Sequence, residues 1–242
     1  MDLNKSATRY DAAFDGIVGL TWLPWVGQRF AERPPHQRLL VVGQSHYHRG
    51  DTPEERQAER DGYKDRKSTR VMIAEEGWDA ETMKRLPKLL FKTTVANRSE
   101  LWAELWADTA YYNFVQRLLS HHDRQQPTPD DYVAGWTVFP QIVRILQPSH
   151  CLFIGVSAAK YFDHSMASQN LPFDKLSWAP EIDGVCPRVA KLNISGTPSK
   201  LIFVQHLGWC KSLSQLHDYL QTQHPDFMSC LGAQTYLSSR NA

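Results

Sequence analysis

Four short apolar runs, each followed by glycine or a polar residue, recur along the chain: Leu39–Val42, Thr109–Val115, His150–Gly155 and Lys200–His206. Such runs are typical of strands buried on both faces of a sheet. A further strand candidate is Arg188–Ile194. Because segments with helical spacing separate the runs, we predict an α/β fold. Its expected form is a three-layer sandwich with a central, mainly parallel four-stranded sheet and helices on both faces.

Capping residues mark two helix starts. Thr52 precedes Pro53, and Glu55 follows three residues after Thr52, which is the pattern of a capping box with proline in the first turn. Thr128 and Pro129 open the second helix in the same way.

The segment from about 51 to 108 is mostly helical in character. Its last part, "SELWAELWAD", places Leu101, Trp102, Leu105 and Trp106 on one helix face, where we expect them to pack in the core. We interpret the segment as a helical insertion in a single domain spanning residues 1–242, acting either as a lid over a site or as a partner surface.

Polar residues follow the predicted strands. They are the loop Gly43–His48, Asn113, Gly155 and His206. Ligands bind to open parallel sheets outside the carboxyl ends of the strands. The sequence therefore predicts a site that gathers these residues.

The loop after the first strand is rich in rings and hydrogen-bonding groups. It runs Gln44, Ser45, His46, Tyr47, His48. A loop that only reverses the chain uses Gly, Asn, Asp or Pro for backbone reasons. Either these side chains serve a site held by the rigid sheet, or the loop is a polar surface turn.

Composition narrows the function classes. The chain has 242 residues, 42% hydrophobic and 22% charged, which suits one ordinary globular domain. With a net charge of +1 and a sequence pI of about 7.8, it lacks a global charge for polyanions, so nucleic acid would need a local patch. No run is apolar enough for a membrane span or a signal peptide, so we expect a cytoplasmic protein with no membrane partner, as a monomer.

The cysteines Cys151, Cys186, Cys210 and Cys230 lie far apart. Without close pairs or zinc-finger spacing, they are expected to be reduced thiols, although a disulfide between two of them stays open. We expect neither a metal nor any other cofactor, including the iron–sulfur clusters that need paired cysteines.

The motifs and their order resemble the uracil-DNA glycosylase superfamily. "GQSHYH" matches four of the six positions of the family's first motif, Gly-Gln-Asp-Pro-Tyr-His. "YYNFVQRLLS" and "QPTPDDYVAGWTVFPQIVRILQPSHCLFIG" resemble its middle section, in which an Asn-bearing strand precedes a capped helix and another strand. "VQHLGW" occupies the place of its last motif. The resemblance covers about two thirds of the chain, Leu39–Val42 and then Thr109 onward.

The resemblance implies excision of a damaged base, such as uracil, that has been flipped out of DNA, single- or double-stranded. By this analogy, His206 donates a hydrogen bond to the departing base. Asn113 reads the Watson–Crick edge with its amide. Gln44 and the rest of the loop Gly43–His48 contact the base and water.

The same resemblance suggests which residues exclude thymine and which fill the gap that the flipped base leaves in the duplex. Tyr47 fills the space beside C5 of the base and rejects the methyl group of thymine. Trp209 and Leu207 are the candidates for the wedge that fills the vacated stack.

The chain departs from the family at the position of the catalytic acid. Ser45 stands where the first motif has aspartate, and His46 replaces its proline. Ser45 is thus the residue at the catalytic position, but serine is uncharged near pH 7 and cannot stabilise an oxocarbenium ion by Coulomb attraction. Asp51 or His48 could take the acid's role.

Two alternatives stay open. The same fold could bind a base or nucleic acid without catalysis, as the missing acid would allow. A different class of function, metal-dependent hydrolysis, would follow if His46, His48 and His206 held a zinc ion.

Overall fold

The computed structural model describes residues 6–76, 81–92, 98–194, 196 and 198–231. Within these residues, seven strands form one mixed sheet and two short strands form a separate pair. The strands are β1 (Trp25–Val26), β2 (Leu39–Gly43), β3 (Tyr47–His48), β4 (Ala110–Asn113), β5 (Leu119–Ser120), β6 (His150–Ile154), β7 (Phe173–Trp178), β8 (Arg188–Leu192) and β9 (Ser199–Val204).

The large sheet has the order β1-β4-β2-β6-β9-β8-β7. Strands β4, β2, β6 and β9 are parallel to one another. Strand β1 is antiparallel at one edge, and β8 and β7 are antiparallel at the other. The α/β class is confirmed, but the predicted count of four strands is wrong because three antiparallel strands extend the parallel centre.

The extra strands lack the pattern that revealed the parallel ones. Strand β1 is only two residues long, too short for any periodicity to be read. Strand β7 lies at the sheet edge and exposes Asp174, Lys175 and Ser177, so it has no continuous apolar run. The candidate at Arg188–Ile194 does form a strand, β8, over Arg188–Leu192.

The strand order creates a crevice between β2 and β6. From β2 the chain next enters the sheet at β4 on one side, and then at β6 on the other side of β2. At such a reversal the connections leave the two strand ends in opposite directions, which opens a binding crevice at their carboxyl ends.

Helices cover both faces of the sheet. The helices are α1 (Asp11–Asp15), α2 (Pro53–Gly62), α3 (Ser68–Val71), α4 (Glu81–Phe91), α5 (Arg98–Asp108), α6 (Pro129–Leu146), α7 (Phe162–Ser168), α8 (Leu213–Gln223) and α9 (Pro225–Ser229). Strand β2 contributes alternate side chains to two cores: Leu40 and Val42 pack in the cluster with α6 and α7, whereas Leu39 and Val41 pack in the cluster with α4, α5 and α8.

Both expected helix caps are present. The Thr52 hydroxyl accepts from the backbone N–H of Glu55, whose carboxylate accepts from the N–H of Thr52, each at 3.1 Å. At α6, Thr128 and Asp131 form the same reciprocal pair. The capping box of the sequence prediction is confirmed.

The segment 51–108 supplies part of one of the two helical layers, which α8 completes. Leu101, Trp102, Leu105 and Trp106 are buried as expected. The carbonyl of Trp106 also accepts from the indole of Trp25 at 2.7 Å. In the described parts of the segment, α4 and α5 therefore form core rather than an added lid; residues 77–80 and 93–97 lie outside the described residues.

All four cysteines have free thiols, with no disulfide among them. In the described part of the chain, no helix combines the length and the apolar character needed to cross a membrane.

Candidate functional site

A cavity of about 230 Å³ opens at the carboxyl ends of β2, β6 and β9. Ligand pockets for drug-sized molecules start near 300 Å³, so this cavity suits a smaller group. Its walls are mainly apolar and aromatic, with amide, imidazole and hydroxyl groups, and no carboxylate is among the lining residues that the structure describes. The lining residues are Val42, Gly43, Gln44, Phe114, Tyr132, Phe153, Ile154, Gly155, Val156, Ser157, Ala158, Val185, Gln205, His206 and Trp209.

Gly43 lets the end of β2 approach its neighbour closely. A Cβ at this position would overlap the Tyr111 hydroxyl and the side-chain oxygen of Asn113 on β4. Glycine is therefore required by packing at the last residue of the strand. Its backbone carbonyl accepts from the N–H of Phe114 at 2.9 Å, which carries the pairing into the cavity wall.

Gln44 enters the cavity directly after Gly43. Its amide nitrogen donates to the hydroxyl of Tyr132 at 3.3 Å. The Tyr132 ring is itself held by stacking on Tyr161, with centroids 5.3 Å apart and planes 11° from parallel. This contact orients the Gln44 amide on a rigid aromatic wall.

His206 follows β9, and its tautomer is set by a neighbour. The backbone N–H of Gly208 donates to Nδ1 at 3.3 Å, so Nδ1 carries the lone pair. Burial lowers the pKa of His206 below its usual value, which keeps the ring neutral near pH 7. The neutral ring therefore carries its proton on Nε2, where it can serve as a hydrogen-bond donor.

Two amides near the cavity have a buried atom without a partner among the described residues. Asn113, 1% exposed, accepts from the Tyr111 hydroxyl at 2.8 Å, but its Nδ2 has no acceptor. Gln205 donates weakly to the Trp209 carbonyl at 3.5 Å, and its Oε1 has no donor. Buried polar atoms in native proteins seldom lack a hydrogen-bond partner. These two atoms are therefore candidates for contact with a ligand.

The rest of the ring-rich loop turns away from the cavity. The Ser45 hydroxyl donates to the carbonyl of Arg117 at 2.7 Å. Tyr47 and His48 form β3 and pair with β5. None of these three residues lines the cavity.

His46 is a core residue. Only 2% of it is exposed, and Nε2 lies 2.9 Å from the Thr69 hydroxyl. Its ring packs against Trp22 and Tyr63, with centroids 4.7 Å and 4.9 Å away. Burial lowers the pKa of His46 to about 3. The structure therefore gives His46 a packing role and separates it from the expected base-binding set.

The two wedge candidates differ sharply. Trp209 stands on the cavity rim with 77% of its surface exposed. Leu207 is fully buried, and its carbonyl accepts from Arg85 at 2.6 Å. Leu207 therefore packs in the core and cannot enter a base stack without unfolding its loop, which corrects its place among the wedge candidates.

The structure does not support a histidine metal site. Among the residues described, no group of three or more His, Cys, Asp or Glu side chains is arranged to hold a metal ion. His46 and His48 also leave the cavity that His206 lines. The zinc alternative therefore loses its geometric basis.

Of the predicted site residues, the cavity brings together Gly43, Gln44, Gly155, His206 and Trp209. Asn113 contacts the Gly43 backbone from the neighbouring strand. Sequence reasoning missed Gln205, Tyr132 and Ser157 as lining residues. Gln205 directly precedes His206, and Ser157 comes two residues after Gly155. Both could have been found by including the neighbours of the residues at the carboxyl ends of the strands, where ligands bind. Tyr132 was placed with the helix core.

Comparison of the chain with protein-family models finds no matching family, and comparison with curated proteins finds no match.

Proposed function

We propose that the protein binds one unpaired nucleobase in this cavity and hydrolyses the bond between that base and its deoxyribose. The observation that carries the proposal is His206, a half-buried neutral histidine with its donor proton on Nε2, lining the same cavity as the Gln44 amide. The activity is the one implied by the resemblance to the uracil-DNA glycosylase superfamily, and DNA is the expected partner.

His206 would assist departure of the base. As the glycosidic bond breaks, the electron pair moves onto the base and the sugar becomes oxocarbenium-like. A donor on Nε2 stabilises the charge that develops on a base oxygen, and a single group of this kind contributes about 100- to 1,000-fold in rate. Water then adds to the sugar carbon as hydroxide, and its proton leaves to the departing base or to solvent.

The cavity walls would recognise the base. Phe114, Tyr132 and Trp209 offer ring faces for stacking, and base–aromatic stacking is tolerant of base identity. The amides of Gln44 and Gln205 each offer a donor and an acceptor for the polar edge. Gln205 Oε1 and Asn113 Nδ2 have no partner among the described residues, and they supply an acceptor and a donor that a base could satisfy.

One observation favours a second function, base binding without cleavage. Among the described residues, none that lines the cavity is a carboxylate, and the Ser45 hydroxyl, at the family's acid position, donates to the Arg117 carbonyl. Excision in this chain would therefore depend on stabilisation of the leaving base rather than on an acid beside the sugar. A protein that only binds a base needs neither.

Base release from labelled single-stranded DNA containing uracil, hypoxanthine or xanthine tests the proposal. Under enzyme excess, we expect wild type to generate abasic sites and His206→Ala to do so at least about 100-fold more slowly. His122→Ala is the matched control, because the His122 side chain is 59% exposed on a loop outside the cavity lining. Binding of the base-containing DNA without release would select the second function; neither binding nor release would overturn both.

A further inference from the structure

Two tryptophans break the burial pattern of the others. Among the described residues, Trp22, Trp25, Trp102, Trp106 and Trp136 are buried. In contrast, Trp178 and Trp209 are 64% and 77% exposed. Trp209 lies on the cavity rim, and Trp178 ends the edge strand β7. Tryptophan is also one of the residue types enriched among those that dominate the binding energy of contact surfaces.

The Trp178 ring lies on a buried arginine. Trp178 and Arg188 are directly opposite each other on β7 and β8, and the Arg188 guanidinium carbon lies 4.1 Å from the indole centroid. Nη1 of this guanidinium donates to the carbonyl of Val156 at 2.9 Å. The cation thus fixes one face of the indole, while the side chain as a whole stays largely exposed.

Arg188 has no compensating negative charge within the described part of the chain. It is 7% exposed, burial lowers its pKa, and its Nε has no hydrogen-bond partner among the described residues. A buried charge without a counter-ion is costly and is normally paired or bound to a ligand. An anion beside the Trp178–Arg188 pair would offset this cost.

The pair is continuous with the cavity. Val156, which accepts from Arg188, lines the cavity, and so does Val185 in the β7–β8 connection. The same connection meets the loop that carries Trp209, because the backbone N–H of Lys211 donates to Asp183 at 2.6 Å. A polymer chain leaving the cavity can therefore pass over this hairpin.

We propose that Trp178 and Arg188 form a second subsite for single-stranded nucleic acid, in which Trp178 stacks on a base flanking the one in the cavity and the Arg188 charge attracts the adjacent phosphate. The inference rests on the proposed function for the nature of the ligand. According to this inference, the protein recognises the nucleotides that flank the bound base as well as the base itself. Stacking platforms combined with positive charge are the usual means of holding single strands.

The test measures the affinity of a single-stranded DNA of about 12 nucleotides with one central uracil, and of free deoxyuridine. We expect Trp178→Ala to weaken oligonucleotide binding by about 5- to 100-fold and Trp178→Phe to restore most of it, while neither changes deoxyuridine binding. Arg188→Met should lower the slope of log affinity against log salt concentration by about 0.7, the value for one phosphate contact on a single strand. Val18→Ala is the matched control, because Val18 is an exposed apolar residue that does not line the cavity.

The outcomes separate this inference from the function on which it rests. Unchanged oligonucleotide affinity in Trp178→Ala overturns the subsite even if wild type releases uracil. Weaker binding in Trp178→Ala, for an all-thymine strand as well, supports the subsite even if no base is ever released. Failure of wild type to bind the oligonucleotide overturns it. Because Trp178 is exposed, thermal unfolding of Trp178→Ala should match wild type, which distinguishes lost contact from lost fold.

Discussion

The two ends of the parallel strands each carry a histidine, a buried one at the amino end and a half-buried one at the carboxyl end, and the two differ in how their ring nitrogens are used. At the amino end, His150 begins β6; its Nε2 donates to Asp226 at 3.1 Å, and its Nδ1 lies 2.9 Å from the Ser149 hydroxyl and 3.3 Å from Cys230 Sγ. At the carboxyl end, His206 lines a cavity, and among the described residues only its Nδ1 has a hydrogen-bond partner. A fully bonded polar cluster stabilises a fold, whereas an incompletely bonded one beside a cavity is available to a ligand.

Residue types alone would suggest a catalytic site at the amino ends of the parallel strands. Cys230, His150 and Asp226 have the composition of a nucleophilic triad. Yet Cys230 is 1% exposed, and burial raises the pKa of its thiol to about 11, so the thiol stays protonated and inert near pH 7. The amino-end cluster is structural, and the comparison shows that access and bonding state must accompany residue identity.

The largest expected effects come from replacing each of the two histidines with alanine. His150→Ala leaves Asp226, Ser149 and Cys230 without their central partner, so we expect the free energy of unfolding to fall by about 2–3 kcal/mol. His206→Ala removes one weak bond, so we expect a loss below about 1 kcal/mol but an at least 100-fold slower base release. Urea denaturation and single-turnover release measure the two effects. Greater destabilisation by His206→Ala than by His150→Ala would contradict the comparison.

His46 sharpens the comparison, since it comes from the site loop but is bonded as a structural residue. Its pKa is about 3 in the folded protein and near 6.5 when exposed. The unfolded chain therefore binds the extra proton first. The free energy of unfolding is therefore not reduced by His46 above about pH 6.5. As the pH falls from there toward 3, protonation of His46 in the unfolded chain reduces it by up to about 1.4 kcal/mol per pH unit.

His46→Gln keeps a partner for the Thr69 hydroxyl but cannot titrate in this range. We expect its free energy of unfolding, measured by urea denaturation between about pH 7 and pH 4, to fall less steeply than that of wild type. The remaining slope belongs to other buried histidines such as His224, whose pKa burial lowers to about 4. Equal slopes in variant and wild type would show that His46 is not buried in the neutral form.

The smallest expected effect compares two half-buried glutamines. Gln205→Leu removes an amide oxygen that has no partner, so we expect stability to stay within about 1 kcal/mol of wild type, or to rise, while oligonucleotide affinity falls. Gln169 donates to the carbonyls of Trp136 and Ser165, so Gln169→Leu should cost about 1–2 kcal/mol and leave affinity unchanged. Equal losses of stability in the two variants would remove the distinction between the amides.

The sequence allowed the parallel strands to be predicted because each buries both faces and so reads as an apolar run. The edge strands could not be predicted, because half of β7 faces solvent and β1 is stabilised by its pairing with β4 rather than by its own pattern. The helix caps were predictable because Thr52 and Glu55 act within four residues of each other.

For the loop Gly43–His48, the sequence predicted a place at the carboxyl end of the strand, where the cavity lies, but not which of its side chains line that cavity. Gly43 and Gln44 still extend the line of β2, so the strand-end rule holds for them. After Gln44 the backbone pairs with a distant segment, through β3 and β5, and that non-local pairing decides which side chains turn away. The burial of His46 against Trp22 and Tyr63 likewise depends on contacts that no local pattern encodes.

Photochemical crosslinking tests the central claim, that the cavity takes a base, most directly. A single-stranded oligonucleotide carrying one 5-iodouracil is irradiated with the protein, and the attached peptide is identified by mass spectrometry. We expect attachment at Phe114, Tyr132 or Trp209, with competition by an unlabelled uracil-containing strand. Attachment confined to residues outside the cavity lining, or none above a thymine control, would contradict the claim.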